Sequence, residues 1–316
     1  MLGMLGWRRA LGPLTVGAIF ALGLGVLGIY RAYRVVRIEA ACFHPRRGPV
    51  PLPAILADVP GRHDVEWRAC DGIAIRGWYF PSKNGAAVLL AHGSENDRRQ
   101  LAPEARALAD EGFGVLAFDL PGHGESEGRV TFGRCEVDAL RQATSFLAAQ
   151  PDVDPARIGG IGLSIGAALL AIAAAEEPRL HSLVLMSPFA DSVEQTQNEV
   201  ARLNWLAQWG TLAVDRHFMK DGPLRPVDAV RALGGRPLLV VAVADDQTVP
   251  LAMTRQVYDA ADARKDMVLV PSGGHANVAV LASGECGDRV LQFCRETLLS
   301  AVSAGGTPAA HSPLGH

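Results

Sequence analysis

The sequence holds little cysteine. There are five in 316 residues: Cys42, Cys70, Cys135, Cys286 and Cys294. They are scattered, odd in number, and include no C-x-x-C pair. This spacing argues against a disulfide scaffold and a zinc ribbon, and buried free thiols are the expectation. No sign of charge dominates either. Thirty Lys and Arg stand against 33 Asp and Glu, a net charge of -3. A nucleic-acid binder needs a basic face, and this balance offers none. Charged residues are only 20% of the chain and hydrophobic ones 49%, which is too apolar for a disordered protein. There is no internal repeat, and the length suits one large domain or two small ones.

One stretch lacks charge altogether. From Leu11 to Tyr30 it reads LGPLTVGAIFALGLGVLGIY. As a helix rising ~1.5 Å per residue it would span roughly 30 Å, the thickness of a bilayer core. RAYRVVR comes directly after it, which opposes cleavage as a signal peptide, and Cys42 is too far downstream for a lipoprotein signal. Residues 1–43 are therefore expected to form a single-pass membrane anchor. The arginine excess behind the span puts the C-terminal part of the chain on the cytoplasmic side. Residues 44–63 carry five prolines and read as an extended linker, and 303–316 read as a disordered tail.

Residues 64–302 alternate strand and helix patterns. DVEWRACDGIAIRGWYFP brackets Asp71-Gly72 with apolar runs, a hairpin signal. Continuous apolar runs at 86–91, 114–119, 157–163, 181–187, 237–243 and 267–271 read as buried parallel strands. Helical patterns near 98–111, 134–149, 165–176, 250–262 and 285–301 separate them. This predicts a mixed, mostly parallel α/β sheet covered on both faces. About fifty residues separate Ser187 from Pro237, where the rhythm expects a tight crossover. The stretch from about 190 to 234, rich in Trp and Leu, is expected to form a small helical cap.

The chemistry falls at strand ends. Gly162-Leu163-Ser164-Ile165-Gly166 is G-x-S-x-G, placed after a predicted strand and opening a predicted helix. A sharp strand-to-helix turn lifts a serine hydroxyl out of the sheet, and glycines clear the crowding on either side. A serine nucleophile needs a base, and the base needs an orienting group. His275, in PSGGHAN after the last strand, is the candidate base. Asp246, in VAVADDQTVP after another strand, is the candidate acid. Asp245 beside it and Asp191 after the preceding strand are the alternatives. For an oxyanion hole the backbone N–H of Ile165 supplies one donor and that of Ser94, in the loop after AAVLLA, the other. His92 reads as a residue that shapes this loop.

LLAHGSENDRR, AFDLPGHGESEG, GLSIG, ADDQTVP and GGHAN occur in this order. In that respect the chain, from about Val65 to Leu299, resembles the α/β-hydrolase-fold serine hydrolases. It looks most like the lysophospholipase-like members with a short cap, some of which carry an N-terminal membrane anchor. The resemblance implies an eight-stranded sheet and an ester- or thioester-cleaving enzyme that works through an acyl-enzyme. It carries the nucleophile, acid and base onto Ser164, Asp246 and His275, and the oxyanion donors onto Ser94 and Ile165. It implies no cofactor and no metal. The expected partners are an acyl ester or lipid substrate and the membrane, with no nucleic acid. Ser94-Glu95-Asn96 departs from the Gly or Asn that many relatives carry there. An acyltransferase, a peptidase and a non-catalytic binding protein are the alternatives on the same fold.

Overall fold

A computed structural model of the chain describes residues 13–45, 47–201, 205–275 and 284–299. The tail expected at 303–316 lies outside them. Eight strands form one sheet in the order β1-β2-β4-β3-β5-β6-β7-β8. They are β1 (His63–Ala69), β2 (Ile73–Phe80), β3 (Ala87–Ala91), β4 (Gly114–Phe118), β5 (Ile158–Leu163), β6 (Leu180–Met186), β7 (Gly235–Val243) and β8 (Ala263–Val270). The β1–β2 hairpin turns at Asp71-Gly72, and Gly72 takes a φ of 84° there. β2 joins β4 antiparallel, and β4, β3, β5, β6, β7 and β8 run parallel.

The helices are α1 (Pro13–Cys42), α2 (Ala102–Asp110), α3 (Arg134–Ala148), α4 (Ile165–Glu176), α5 (Ser192–Val200), α6 (Trp205–Phe218), α7 (Pro226–Ala229), α8 (Leu251–Ala260) and α9 (Glu285–Cys294). Strand alternation explains the two layers. Leu89, Leu116, Leu185 and Val240 pack with α3 and α4 on one face. Val88, Leu90, Val115, Val184 and Val241 pack with α2 and α9 on the other. Neighbouring residues of a strand point to opposite faces, so a sheet covered on both sides needs unbroken apolar strands, as here.

Three expectations are corrected. The single-pass anchor and the membrane location fall first: among the described residues, no helix is long and apolar enough to cross a membrane. The apolar stretch does not make a helix of its own. From Pro13 on it belongs to the 30-residue α1, which also carries Arg31, Arg34 and Arg37 and packs on α6. Val36 sits so close to Gly210 that an added Cβ there would overlap it. The extended linker is the second. Leu56 is fully buried, Val50 is buried, and the Val50 N–H donates to Glu125 Oε1 at 3.0 Å, so this segment lies against the domain.

Cysteine is the third. Cys70, in the β1–β2 turn, is bonded to Cys135 in the first turn of α3, with Cα atoms 5.3 Å apart. The sheet and α3 bring together two residues 65 positions apart, which spacing alone does not reveal. Cys286 and Cys294 are free and buried, and burial pushes their thiols up to about 11 and about 12.

Candidate active site

The strand order brings the C-terminal ends of β3, β5, β7 and β8 to one rim, where open α/β sheets collect their ligands. Ser164 stands between β5 and α4 with φ 55° and ψ −119°, a strained conformation for a residue with a side chain. Its neighbours explain the glycines. A Cβ on Gly162 would lie 2.6 Å from the Gly166 carbonyl oxygen, and one on Gly166 would overlap the carbonyl oxygens of Ala91 and His92. The turn is pinned because the Ser164 N–H donates to the Met186 carbonyl at 2.9 Å.

The structure brings Ser164, His275 and Asp246 together. His275 Nδ1 lies 2.8 Å from Asp246 Oδ2, and its Nε2 lies 2.8 Å from Ser164 Oγ. A carboxylate only accepts, so Nδ1 carries the proton and Nε2 is left to accept the serine O–H. Asp246 is 5% exposed. Burial pushes its carboxyl up. The hydrogen bond from His275 and those from the Val249 and Thr248 N–H groups outweigh that and hold it below the usual aspartate range.

The adjacent Asp245 points elsewhere. Its Oδ1 accepts from the N–H groups of Gly273 and Gly274 at 3.0 and 2.9 Å. It therefore ties down the glycine turn, with Gly274 at φ 62°, from which His275 projects. Asp191 is bonded elsewhere, not to the imidazole. It caps α5 through the Val193 N–H and pairs with Arg225 at 2.7 Å. Ala276 and Asn277, the end of the GGHAN motif, lie outside the described residues.

The loop after β3 is held from several sides. His92 is 1% exposed; its Nδ1 donates to the Gly93 carbonyl at 2.7 Å and its Nε2 accepts from the Leu120 N–H at 3.0 Å. Burial pushes its pKa down to about 4, so the ring is neutral and structural. Gln100 Oε1 accepts from the Gly93 N–H at 2.7 Å. Arg98, buried over the Trp78 ring at 4.5 Å, bonds to both Asp119 and Glu125. This leaves Ser94 and Ile165 beside Ser164 on the same cavity, with no acceptor for either N–H among the described residues.

The cavity holds about 340 Å³. Phe43, Phe132, Phe189, Met219 and Val249 give it apolar surface, and Gln100, Gln195, Glu199 and Asp215 give it polar surface. These polar residues belong to no short motif. Gln100 had a signal in its position, eight residues after His92 in the same connection, but Gln195, Glu199 and Asp215 had none. Among the described residues, no group of three His, Cys, Asp or Glu is placed to hold a metal ion.

The fold and this rim define an α/β-hydrolase, and the comparisons agree. Residues 82–233 match the family described as serine aminopeptidase, S33. The uncharacterized protein Rv2307c of Mycobacterium tuberculosis is 33% identical over 293 residues, covering 92% of this chain and 96% of that one. The chain belongs to the α/β-hydrolase family and is an enzyme of that class. The polyketide transferase af380 of Aspergillus fumigatus is 26% identical over 282 residues, covering 73% of this chain and 95% of the relative. The esterase Pf2001 of Pyrococcus furiosus shares the fold at a TM-score of 0.68, with 22% identity, over 81% of this chain and 98% of that structure.

Proposed function

We propose that the protein is a serine hydrolase of carboxylic esters or thioesters. The carrying observation is the continuous line from Ser164 Oγ through the His275 ring to Asp246, with 2.8 Å at each step. His275 Nε2 takes the Ser164 proton as Oγ attacks the acyl carbon. The carbonyl electrons move to oxygen, where the Ser94 and Ile165 N–H groups are the candidate donors. The intermediate collapses, His275 passes the proton to the departing alcohol or thiol, and the acyl group stays on Ser164. Water, deprotonated by the same imidazole, releases the acid. Asp246 holds the tautomer and stabilises the imidazolium throughout. The apolar part of the cavity suits an acyl chain.

Labelling with a fluorophosphonate tests this. The adduct is expected on Ser164, and Ser164→Ala is expected to remove labelling and lower ester turnover by on the order of 10⁴-fold or more while the protein stays folded. Wild-type labelling of the Ala variant would overturn the assignment.

A second reading is acyl transfer to an alcohol or amine instead of water. The likeness to a polyketide transferase over 95% of its length favours keeping it. The acyl-enzyme is common to both, and only the second nucleophile differs. Product analysis with and without a competing alcohol or amine separates them.

A further inference from the structure

The groups around Ser164 reach it from opposite sides of the sheet. β5 leads to Ser164. On one side of it, β7 and β8 lead to Asp246 and His275. On the other side lie β3 and β4. Ser94 follows β3, and Phe132 stands in the connection from β4 to α3. The proposed chemistry gives the two sides different tasks. His275 Nε2 must reach the departing alcohol or thiol, so the leaving group lies toward β7 and β8. The acyl chain then extends away from the imidazole, toward β4.

Phe132 and Phe43 meet it there. Both line the cavity, and their ring centroids lie 5.1 Å apart at a tilt of 53°. Phe132 has a φ of 47°, a costly conformation for a bulky side chain. Its surroundings impose it. Glu136, fully buried, accepts from the N–H groups of Thr131, Phe132 and Gly133 at 2.7, 3.0 and 2.9 Å. Cys135, next to Glu136, is bonded to Cys70. Strain kept up by this many bonds is the kind found where a side chain must point one way for a ligand.

Phe43 arrives from much earlier in the chain. Behind α1 the segment runs along the β4–α3 connection, where the Gly48 N–H donates to the Gly124 carbonyl at 3.0 Å. Phe43 is 2% exposed and lies outside the residues 82–233 that match the family. A packed phenylalanine keeps one rotamer, so two such rings make a stiff end to the acyl side. An acyl chain too long for that space leaves its carbonyl short of Ser164 or has to displace a ring.

We propose that Phe132 and Phe43 set the upper limit of the acyl chain that the site accepts. The preferred substrate is then an ester or thioester of a linear acid of short to medium length, and the segment behind α1 takes part in choosing it. This rests on the serine hydrolase reading of Ser164.

The 4-nitrophenyl esters of acetate, butyrate, hexanoate, octanoate, decanoate and dodecanoate test it. In the wild type kcat/KM is expected to peak at or before octanoate and to fall about tenfold or more by dodecanoate. Phe132→Leu and Phe43→Leu are each expected to raise the dodecanoate-to-butyrate ratio by about tenfold, mostly through KM, because lost ring atoms leave room. A merely structural role would lower every ester alike and leave the ratio unmoved. If either Leu variant does not fold, the Met variant, which fills irregular space, takes its place. A wild-type profile still rising at dodecanoate, or a ratio unmoved in either variant, overturns the limit while leaving the hydrolase reading standing.

If the wild-type protein cleaves none of the esters, the hydrolase reading fails and binding still decides the limit. Calorimetry with 1-hexanol, 1-octanol and 1-decanol is expected to show binding that peaks before decanol in the wild type and at decanol in Phe132→Leu. The same order of affinities in both proteins, or no binding of any alcohol, overturns the limit.

Discussion

Ser164 and Glu199 face the same cavity from structures of opposite kinds. Ser164, Ser94, Asp246 and His275 stand on short connections that leave parallel strands, and hydrogen bonds to the main chain of those connections hold them. The Met186 carbonyl fixes Ser164, Gln100 and His92 fix Gly93, and Asp245 fixes Gly273 and Gly274. Glu199 and Asp215 stand on two helices inserted between β6 and β7, and side chains alone aim them. A backbone-held residue tolerates almost no change around it. A side-chain-held residue can be exchanged with the helix intact. Chemistry belongs on the first kind of support.

The largest test of this contrast is Asp246→Asn against Asp245→Asn. The two are adjacent, but only Asp246 touches the imidazole. Asp246→Asn is expected to lower kcat on the order of 10⁴-fold, because Asn no longer enforces the Nδ1–H tautomer. Asp245→Asn only loosens the loop and is expected to cost about tenfold, ~1.4 kcal/mol of barrier. Steady-state kinetics on both variants, side by side, decide it. Equal losses would mean that the loop, not the tautomer, is what matters.

Gly166→Ala comes next. Its methyl would overlap the carbonyl oxygens of Ala91 and His92, so the backbone at the end of β3 would have to move. An expected loss of roughly 3 kcal/mol or more, read by urea unfolding, comes from overpacking at a rigid site. A substitution of Glu199, on the exposed side of α5, should stay within about 0.5 kcal/mol of wild type in the same assay.

The pH dependence of stability separates the two supports by sign. Buried His92 has its folded pKa lowered to about 4, against about 6.5 unfolded. Between those values the unfolded chain takes a proton that the folded chain refuses, so stability falls as pH drops from about 6.5 to about 4. The loss from this residue is about 3 kcal/mol in all and stops below about 4. His123, lowered to about 3 by burial and by His92, adds to the same trend. Asp246 acts in the same sense lower down. Its lowered pKa gives stability that is present above the unfolded aspartate value and lost as pH falls through the folded one. Glu199 has the opposite sign. Its raised pKa gives stability that is present below the unfolded glutamate value and lost as pH rises through the folded one. Unfolding free energies at pH 7, 5.5 and 4.5 should therefore decline with acid, and His92→Asn should remove about one proton from the slope.

Asp191→Asn is the smallest. It weakens the α5 cap and the pair with Arg225 and should cost about 1 kcal/mol of stability at most. Turnover should stay within about twofold of wild type, a barrier change of ~0.4 kcal/mol. A crippled Asp191→Asn enzyme would return this residue to the candidate acids.

The same contrast explains what could be read from the chain. The strands were legible because both faces of the sheet are covered, which leaves unbroken apolar runs such as AVLLA and GVLAF. Ser164 and His275 were legible because tight turns demand glycine beside them, and Asp246 because it follows closely on a strand end. Gln195, Glu199 and Asp215 were not. On α5 and α6 they are ordinary polar residues, and their shared orientation depends on where the two helices pack. The Cys70–Cys135 bond was hidden for the same reason, since it exists only once α3 lies beside the hairpin. The N-terminal run misled because the arginines behind it were read as flanking a span and not as part of the same helix. α1 goes on through three arginines and meets α6.

The contact between α1 and α6 also bears on synthesis. Val36 and Gly210, which touch in the folded protein, are separated by roughly 170 residues of chain. At about 5–20 residues per second, α1 leaves the ribosome on the order of ten seconds or more before its partner exists. During that interval Ala32 and Val36 have nothing to pack against, and Phe43 has no Phe132 ring to meet. A helix made early is thus seated late, and a nascent chain stalled before α6 presents it to whatever holds unfinished proteins.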